Sequence, residues 1–137
     1  MQSGKKILLI EDDKLIALAL KIRLQAEGYA VTVAYDCESA LQAVDTQLPD
    51  VALIDCNLPD GNGIDVMKQF SQGSQTSEIS SIIMTASNKK GLQDKAMAAG
   101  AFDYFQKPFN SSALIESIRH ACVQGVQDTD QMAPGRH

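Results

Sequence analysis

Five residues could act together if folding gathered them: Glu11 and Asp12 in "EDD", Asp55 at the end of "VALID", Thr85 after "SIIM" and Lys107 in "QKP". Gathered carboxylates repel one another unless a cation intervenes. A set that offers only oxygen, with no His or Cys, suits Mg²⁺, which keeps waters and accepts phosphate oxygens. An ammonium from Lys107 and a hydroxyl from Thr85 would supply the counter-charge and the hydrogen-bond donor that a phosphoryl group demands. In that company Asp55 becomes a nucleophile able to form an acyl phosphate. Taken singly, each residue has an ordinary role: Asp12 or Asp13 caps a helix, Asp55 and Asn57 shape a turn, Thr85 ends a strand and Lys107 is a solvated charge. What decides between the readings is whether the elements carrying these residues end at one rim.

Five short β-like runs alternate with helical segments: "KILLI" (6–10), "AVTVA" (30–34), "VALI" (51–54), "SIIM" (81–84) and "FDYF" (102–105). Each interval is long enough for a crossover helix, so the pattern reads (βα)5 with a parallel sheet. The first and third runs are continuously apolar, as central strands covered on both faces must be. The first helix is expected from Lys14 to Glu27, stopped by Gly28, and the fourth from about Lys89 to Ala99, stopped by Gly100. That fourth helix has mainly Ala and Met to bury after Leu92 and is the least anchored. Asn110 is placed to cap the fifth helix, whose Leu114, Ile118 and Ala121 share a face. Ligands of an open parallel sheet sit beyond the C-terminal strand ends, and "EDD", Asp55, Thr85 and "QKP" all follow strands. Their convergence favours the joint reading.

A chain of 137 residues fits one domain with a core that needs no disulfide or metal staple. No apolar run approaches the roughly 20 residues of a bilayer span, and "MQSGKK" leads straight into a strand-like run rather than a signal-peptide core, so a cytoplasmic protein without membrane association is expected. Cys37, Cys56 and Cys122 are odd in number and widely spaced, which argues for reduced thiols over a disulfide framework or zinc site. A net charge of −5 and a pI near 4.8 argue against direct nucleic-acid binding by this domain. The folded unit is expected over residues 5–123. From Gly125 onward periodicity is lost, so residues 124–137 read as a flexible tail or linker.

The ordered set of the acidic pair Glu11 and Asp12, Asp55 within "D-x-x-L-P-x-x-N-G", Thr85 followed by Ala86, and "DYFQKPF" at 103–109 resembles the receiver domain of bacterial two-component response regulators, chemotaxis-regulator-like in type. The resemblance spans about Lys5 to Val123. It implies a flavodoxin-like, doubly wound three-layer α/β sandwich with sheet order 2-1-3-4-5. It further implies phosphorelay signalling, in which Asp55 accepts a phosphoryl group from a histidine kinase or histidine phosphotransfer protein. The implied cofactor is Mg²⁺, with Mn²⁺ the alternative, held by Asp12 and Asp55, by Glu11 through water and by the backbone carbonyl of Asn57. Lys107 would bind a phosphoryl oxygen, the Lys107–Pro108 peptide would be cis, and Asp13 would be a cap. Thr85 and Tyr104 would be the switching pair that remodels the face formed by the fourth helix, fifth strand and fifth helix, so controlling an output domain or downstream protein. Such a domain catalyses its own phosphorylation and dephosphorylation without being an enzyme for an external substrate. Asn57 and Ser87 match the positions that tune hydrolysis. Dimerisation through the switching face is compatible with the sequence but has no residue of its own to support it.

Gly61 stands where the family more often has a bulky apolar residue, so a looser loop after Asp55 is expected. The first helix carries more apolar residues than one stripe can bury: Ile16, Ala19, Leu20 and Leu24 can face the sheet, leaving Leu15, Leu18 and Ile22 on an adjoining face. These three are either covered in part by the fifth helix or form a docking surface for the histidine-bearing helices of the phosphodonor. Two other classes fit less well. A haloacid-dehalogenase-type hydrolase needs a D-x-D nucleophile after the first strand, which "EDDK" does not supply. Flavodoxin-like electron transfer needs a hydroxyl- and Gly-rich phosphate loop there, where three acids would repel a phosphate.

Overall fold

The structure, a computed structural model, describes the backbone of residues 4–130 and the side chains of residues 4–123. Strand β1 (Lys6–Ile10) leads through α1 (Lys14–Ala26), β2 (Ala30–Ala34) and α2 (Cys37–Thr46) to β3 (Val51–Asp55). Two short strands, β4 (Asn57–Leu58) and β5 (Gly61–Asn62), then precede α3 (Gly63–Gln72) and a single 3₁₀ turn (Thr76–Glu78). The described residues continue through β6 (Ser80–Thr85), α4 (Leu92–Ala98), β7 (Asp103–Gln106) and α5 (Ser111–Asp130). Five strands form one parallel sheet in the order β2-β1-β3-β6-β7. Counted over the sheet strands alone this is 2-1-3-4-5, the doubly wound order expected, so β6 and β7 are the anticipated fourth and fifth strands.

Alternation along the strands divides the core into two layers, since successive side chains of a strand point to opposite faces. Leu8, Ile10, Ala52, Ile54 and Ile83 face α2, α3 and α4, where they meet Val44, Ile64, Met67, Phe70 and Ala96. Ile7, Leu9, Leu53, Ile82 and Met84 face the other way, toward Ala17 and Leu24 of α1 and Leu114, Ile118 and Ala121 of α5. Every residue of β3 is buried, which explains its unbroken apolar run.

The helix ends follow local chemistry. Asp13 accepts from the N–H groups of Leu15 and Ile16 and so caps α1, while Gly28 takes a positive φ of 97° just beyond it. Asn110 accepts from Ser112 and Ala113 at the start of α5. Three sequence expectations need correction. Helix α4 begins at Leu92 rather than near Lys89, because Gly91 adopts a left-handed conformation with φ 85° and the turn before it cannot join the helix. Helix α5 continues through Asp130, past the Gly125 where a tail was expected. An isolated Gly costs about 1 kcal/mol relative to Ala, but a helix already nucleated on a packed face propagates through it. The remainder of the expected tail, residues 131–137, lies outside the described residues. In α1 the sheet-facing set is Ala17, Leu20 and Leu24, whereas Ile16 and Ala19 are exposed. Leu20 and Leu24 keep the expected face, and Ala17 rather than Ile16 completes it at i, i+3, i+7 spacing.

Candidate functional site

Strand register brings the candidate residues to one rim. The N–H of Cys56 donates to Met84 O at 2.8 Å, and that of Lys107 donates to Thr85 O at 2.7 Å, so the ends of β3, β6 and β7 lie side by side. On the other flank the N–H of Glu11 donates to Ala34 O at 3.0 Å at the end of β1. Carboxylate oxygens of Glu11, Asp12 and Asp55 there lie within 4.8 Å of one another. Folding therefore gathers the three acids at one place on the rim. Asp13, directed to the helix N–H groups, stands apart from them.

Glu11 and Asp55 are only 1% and 6% exposed, while Asp12 is open to solvent. Lys107 reaches back from the end of β7 to both buried acids, with Nζ 2.7 Å from Glu11 Oε1 and 3.1 Å from Asp55 Oδ2. The second oxygen of Glu11 accepts the Asp13 N–H, and that of Asp55 accepts the Asn57 N–H at 3.0 Å. Burial pushes Glu11 above the ordinary glutamate range, the hydrogen bonds from Lys107 and Asp13 offset this only in part, and the like charge of Asp55 acts in the same direction as burial. For Lys107 burial acts to lower the pKa, but its bonds and proximity to Glu11 and Asp55 prevail and hold the ammonium charged. One ammonium shared between two buried acids, with Asp12 beside them, leaves the cluster net negative. A hard divalent cation fits that deficit and that all-oxygen donor set.

Other candidates are placed as follows. Thr85 is fully buried, and its Oγ1 accepts the Ser87 N–H at 3.0 Å. Ser87 in turn accepts from the Lys89 N–H. Tyr104 is half-buried beside the α2–α3–α4 layer, and the Lys107–Pro108 bond is cis. Asn57 is exposed on β4, one step beyond Cys56. Leu15, Leu18 and Ile22 are 78%, 53% and 58% exposed, so α5 does not cover them. Ile16 and Ala19 line an adjoining groove with Pro108 and Phe109, which opens beside Lys107.

The loop after Asp55 is not loose, contrary to the expectation drawn from Gly61. Strands β4 and β5 pair antiparallel, Asn57 with Asn62 and Leu58 with Gly61, leaving Pro59 and Asp60 at the hairpin tip. A Cβ on Gly61 would come 3.1 Å from Cys37 Sγ, so the small residue lets the hairpin lie against the start of α2. At its base the approach is closer: a Cβ on Gly63 would stand 2.2 Å from the carbonyl oxygen of Asp55. Asn62 then caps α3 through the Ile64 N–H at 2.7 Å. From sequence Gly63 reads as a glycine of the turn that follows Asp55, and Asp60 carries no signal of its own. "N-G" before an apolar run signalled the cap and turn, but the backbone that Gly63 must clear is set by the sheet.

Among the described residues no helix is long and apolar enough to cross a membrane. Residues 7–119 match the response regulator receiver domain family. The transcriptional regulatory protein CpxR of Escherichia coli is 40% identical over 114 residues, covering 83% of this chain and 47% of its own. The virulence transcriptional regulatory protein PhoP of Salmonella typhimurium is 33% identical over 116 residues, covering 83% of this chain and 50% of its own. The chain thus spans about half the length of these curated relatives. Among solved structures, a CheY-like receiver domain protein of Methanospirillum hungatei superposes with a TM-score of 0.85 at 27% identity, covering 92% of this chain and 99% of its own.

Proposed function

This chain belongs to the response regulator receiver domain family of two-component systems, and from that premise we propose that it takes a phosphoryl group onto Asp55 from the phosphohistidine of a histidine kinase or histidine phosphotransfer protein. The observation that carries this reading is the pairing of Lys107 with both Asp55 and Glu11 at the acidic rim. A carboxylate oxygen of Asp55 attacks phosphorus as the bond from phosphorus to the histidine nitrogen breaks, and the bonding pair leaves with the imidazole. Lys107 shifts from its carboxylate partners toward a phosphoryl oxygen, keeping its charge against the charge that gathers there. Asp12, Asp55 and the Asn57 carbonyl would hold Mg²⁺, or Mn²⁺ in its place, with Glu11 as their partner through water. When bound, the ion would supply charge neutralisation and orientation of the phosphoryl oxygens.

The hydroxyl of Thr85 leaves the Ser87 N–H to meet the phosphoryl group, and the space it vacates admits the Tyr104 ring. The face of α4, β7 and α5 is then remodelled to control an output domain or downstream protein, which is also the face through which copies of the domain could associate. Support for α4 as the mobile part comes from its anchoring, since Ala96 is its one buried residue. Asn57 and Ser87 stand at the approach of the water that hydrolyses the acyl phosphate. Leu15, Leu18 and Ile22 dock the phosphodonor. The receiver unit is residues 5–123, with the following chain a tail or a linker to an output domain. We assign it to the cytoplasm, with DNA contact left to other domains or partners, as its net charge of −5 supports.

Intact mass after incubation with acetyl phosphate and Mg²⁺ tests the reading. A Mg²⁺-dependent gain of one phosphoryl group in the native protein and none in Asp55→Asn is expected. An equal gain in the variant, or no gain in either, overturns it.

A further inference from the structure

The first three N–H groups of α2 have no partner inside the helix, and any helix must find acceptors for such groups. Asp36, its local cap, takes only that of Ser39, at 2.8 Å. Those of Cys37 and Glu38 donate instead to the two carboxylate oxygens of Asp60, at 2.8 and 3.1 Å, across 23 and 22 residues of chain. Asp60 is thus a second cap supplied by the hairpin tip, and its negative charge also faces the positive end of the helix. The hairpin is fastened at both ends: at its tip to α2, and at its base by the Gly63 N–H donating to Cys56 O at 2.9 Å. Asn57, whose N–H binds Asp55, lies between the two fastenings.

We propose that Asp60 is a positioning residue for the cation site, acting through α2 to hold the β4–β5 hairpin, and with it the Asn57 carbonyl, at the acidic rim. The inference rests on the proposed role of that rim in binding Mg²⁺. A carbonyl on an unanchored six-residue loop would have to be ordered on every binding event, and that ordering entropy would be taken from the affinity. Asp60 removes the cost in advance by joining the loop to a helix already packed on the sheet.

Titration of the metal-free protein with Mg²⁺ by isothermal calorimetry tests this without any turnover. Asp60→Ala is expected to raise the Mg²⁺ Kd about 10-fold, the lower end of what outer-shell partners of metal ligands contribute. Asp60→Asn, which keeps one acceptor oxygen, should fall between Asp60→Ala and the native protein, and it decides the matter if the alanine variant does not fold. Hydrogen exchange of the Cys37 and Glu38 amides should quicken in both. Val44→Ala, in the core contact of the same helix, should lower thermal stability with an unchanged Kd. A Kd in the Asp60 variants within twofold of the native value overturns the proposal, as does an equal rise in Val44→Ala. Native protein that binds no Mg²⁺ overturns the reading of the rim itself, and the inference with it.

Discussion

Lys107 and Glu11 are joined by a 2.7 Å ion pair across 96 residues of chain, between the ends of β7 and β1. The same ammonium reaches Asp55 at 3.1 Å, so one positive charge serves two buried acids. Lys107→Ala should destabilise the metal-free protein by about 1–3 kcal/mol, less than the ~3–5 kcal/mol of a fully buried broken pair, because Glu11 can take up a proton. The pH dependence has a definite sign. Burial raises the Glu11 pKa in the folded state, so the folded protein binds this proton more tightly than the unfolded chain and is favoured as pH falls. Removing Lys107 raises that pKa further, so the stability gap between variant and native protein should narrow from about pH 7 to about pH 5. Urea denaturation across that range checks it, and a gap that widens toward acid contradicts the assignment.

Gly63→Ala should be among the most damaging single-methyl additions in the chain. Its Cβ would stand 2.2 Å from Asp55 O and 2.7 Å from Ile54 Cγ2, and neither the backbone nor a packed side chain on a central strand can yield cheaply. A loss of about 1–3 kcal/mol or more is expected from such overpacking. Thermal melts beside Gly61→Ala, whose nearest neighbour is the Cys37 Sγ at 3.1 Å, should place Gly63→Ala clearly lower.

Ser117 on α5 donates to Asp103 Oδ2 at 2.6 Å, while the other oxygen of Asp103 accepts the Tyr104 N–H. This ties β7 to α5 directly beside Tyr104. Ser117→Ala should cost about 1.5–3 kcal/mol, the range for a hydrogen bond to a charged group, read as a lower urea midpoint with unchanged slope. A midpoint equal to the native one would mean that water replaces the hydroxyl without loss.

Leu18→Glu should slow phosphoryl transfer from the cognate donor while leaving phosphorylation by acetyl phosphate intact, since Leu18 is 53% exposed and contributes no core contact. Phosphorylation time courses with the two donors separate the effects. Equal loss with both donors, or with neither, removes the docking role.

Cys37 should alkylate slowly. Burial and the neighbouring acids, Asp60 first among them, push its pKa up to about 11. Each pKa unit reduces the thiolate fraction tenfold below the pKa, so at about pH 8 iodoacetamide should react roughly 10–100-fold more slowly than with a free cysteine. Peptide mapping after timed alkylation gives the rate, and Asp60→Ala should quicken it.

The sequence by itself determined the alternation of strands and helices and the rim to which the acids run. Unbroken apolar runs such as "VALI" and helix punctuation at Asp13, Gly28 and Asn110 depend on interactions within a few residues, which composition and spacing record directly. That Glu11, Asp55 and Lys107 would gather was legible from the strand order, because a parallel sheet places every strand's C-terminal end on one side. What only the tertiary structure decided are relationships between segments distant in sequence. Asp60 reads locally as a turn residue after Pro59, and nothing near it indicates that its carboxylate will cap a helix 22 residues earlier. Gly61 reads as looseness until Cys37 is seen against it, and Ile16 reads as core until the phase of α1 is known. In each case the local sequence is compatible with several partners. The selection is made by packing, where one shift of register or helix phase exchanges a buried side chain for an exposed one.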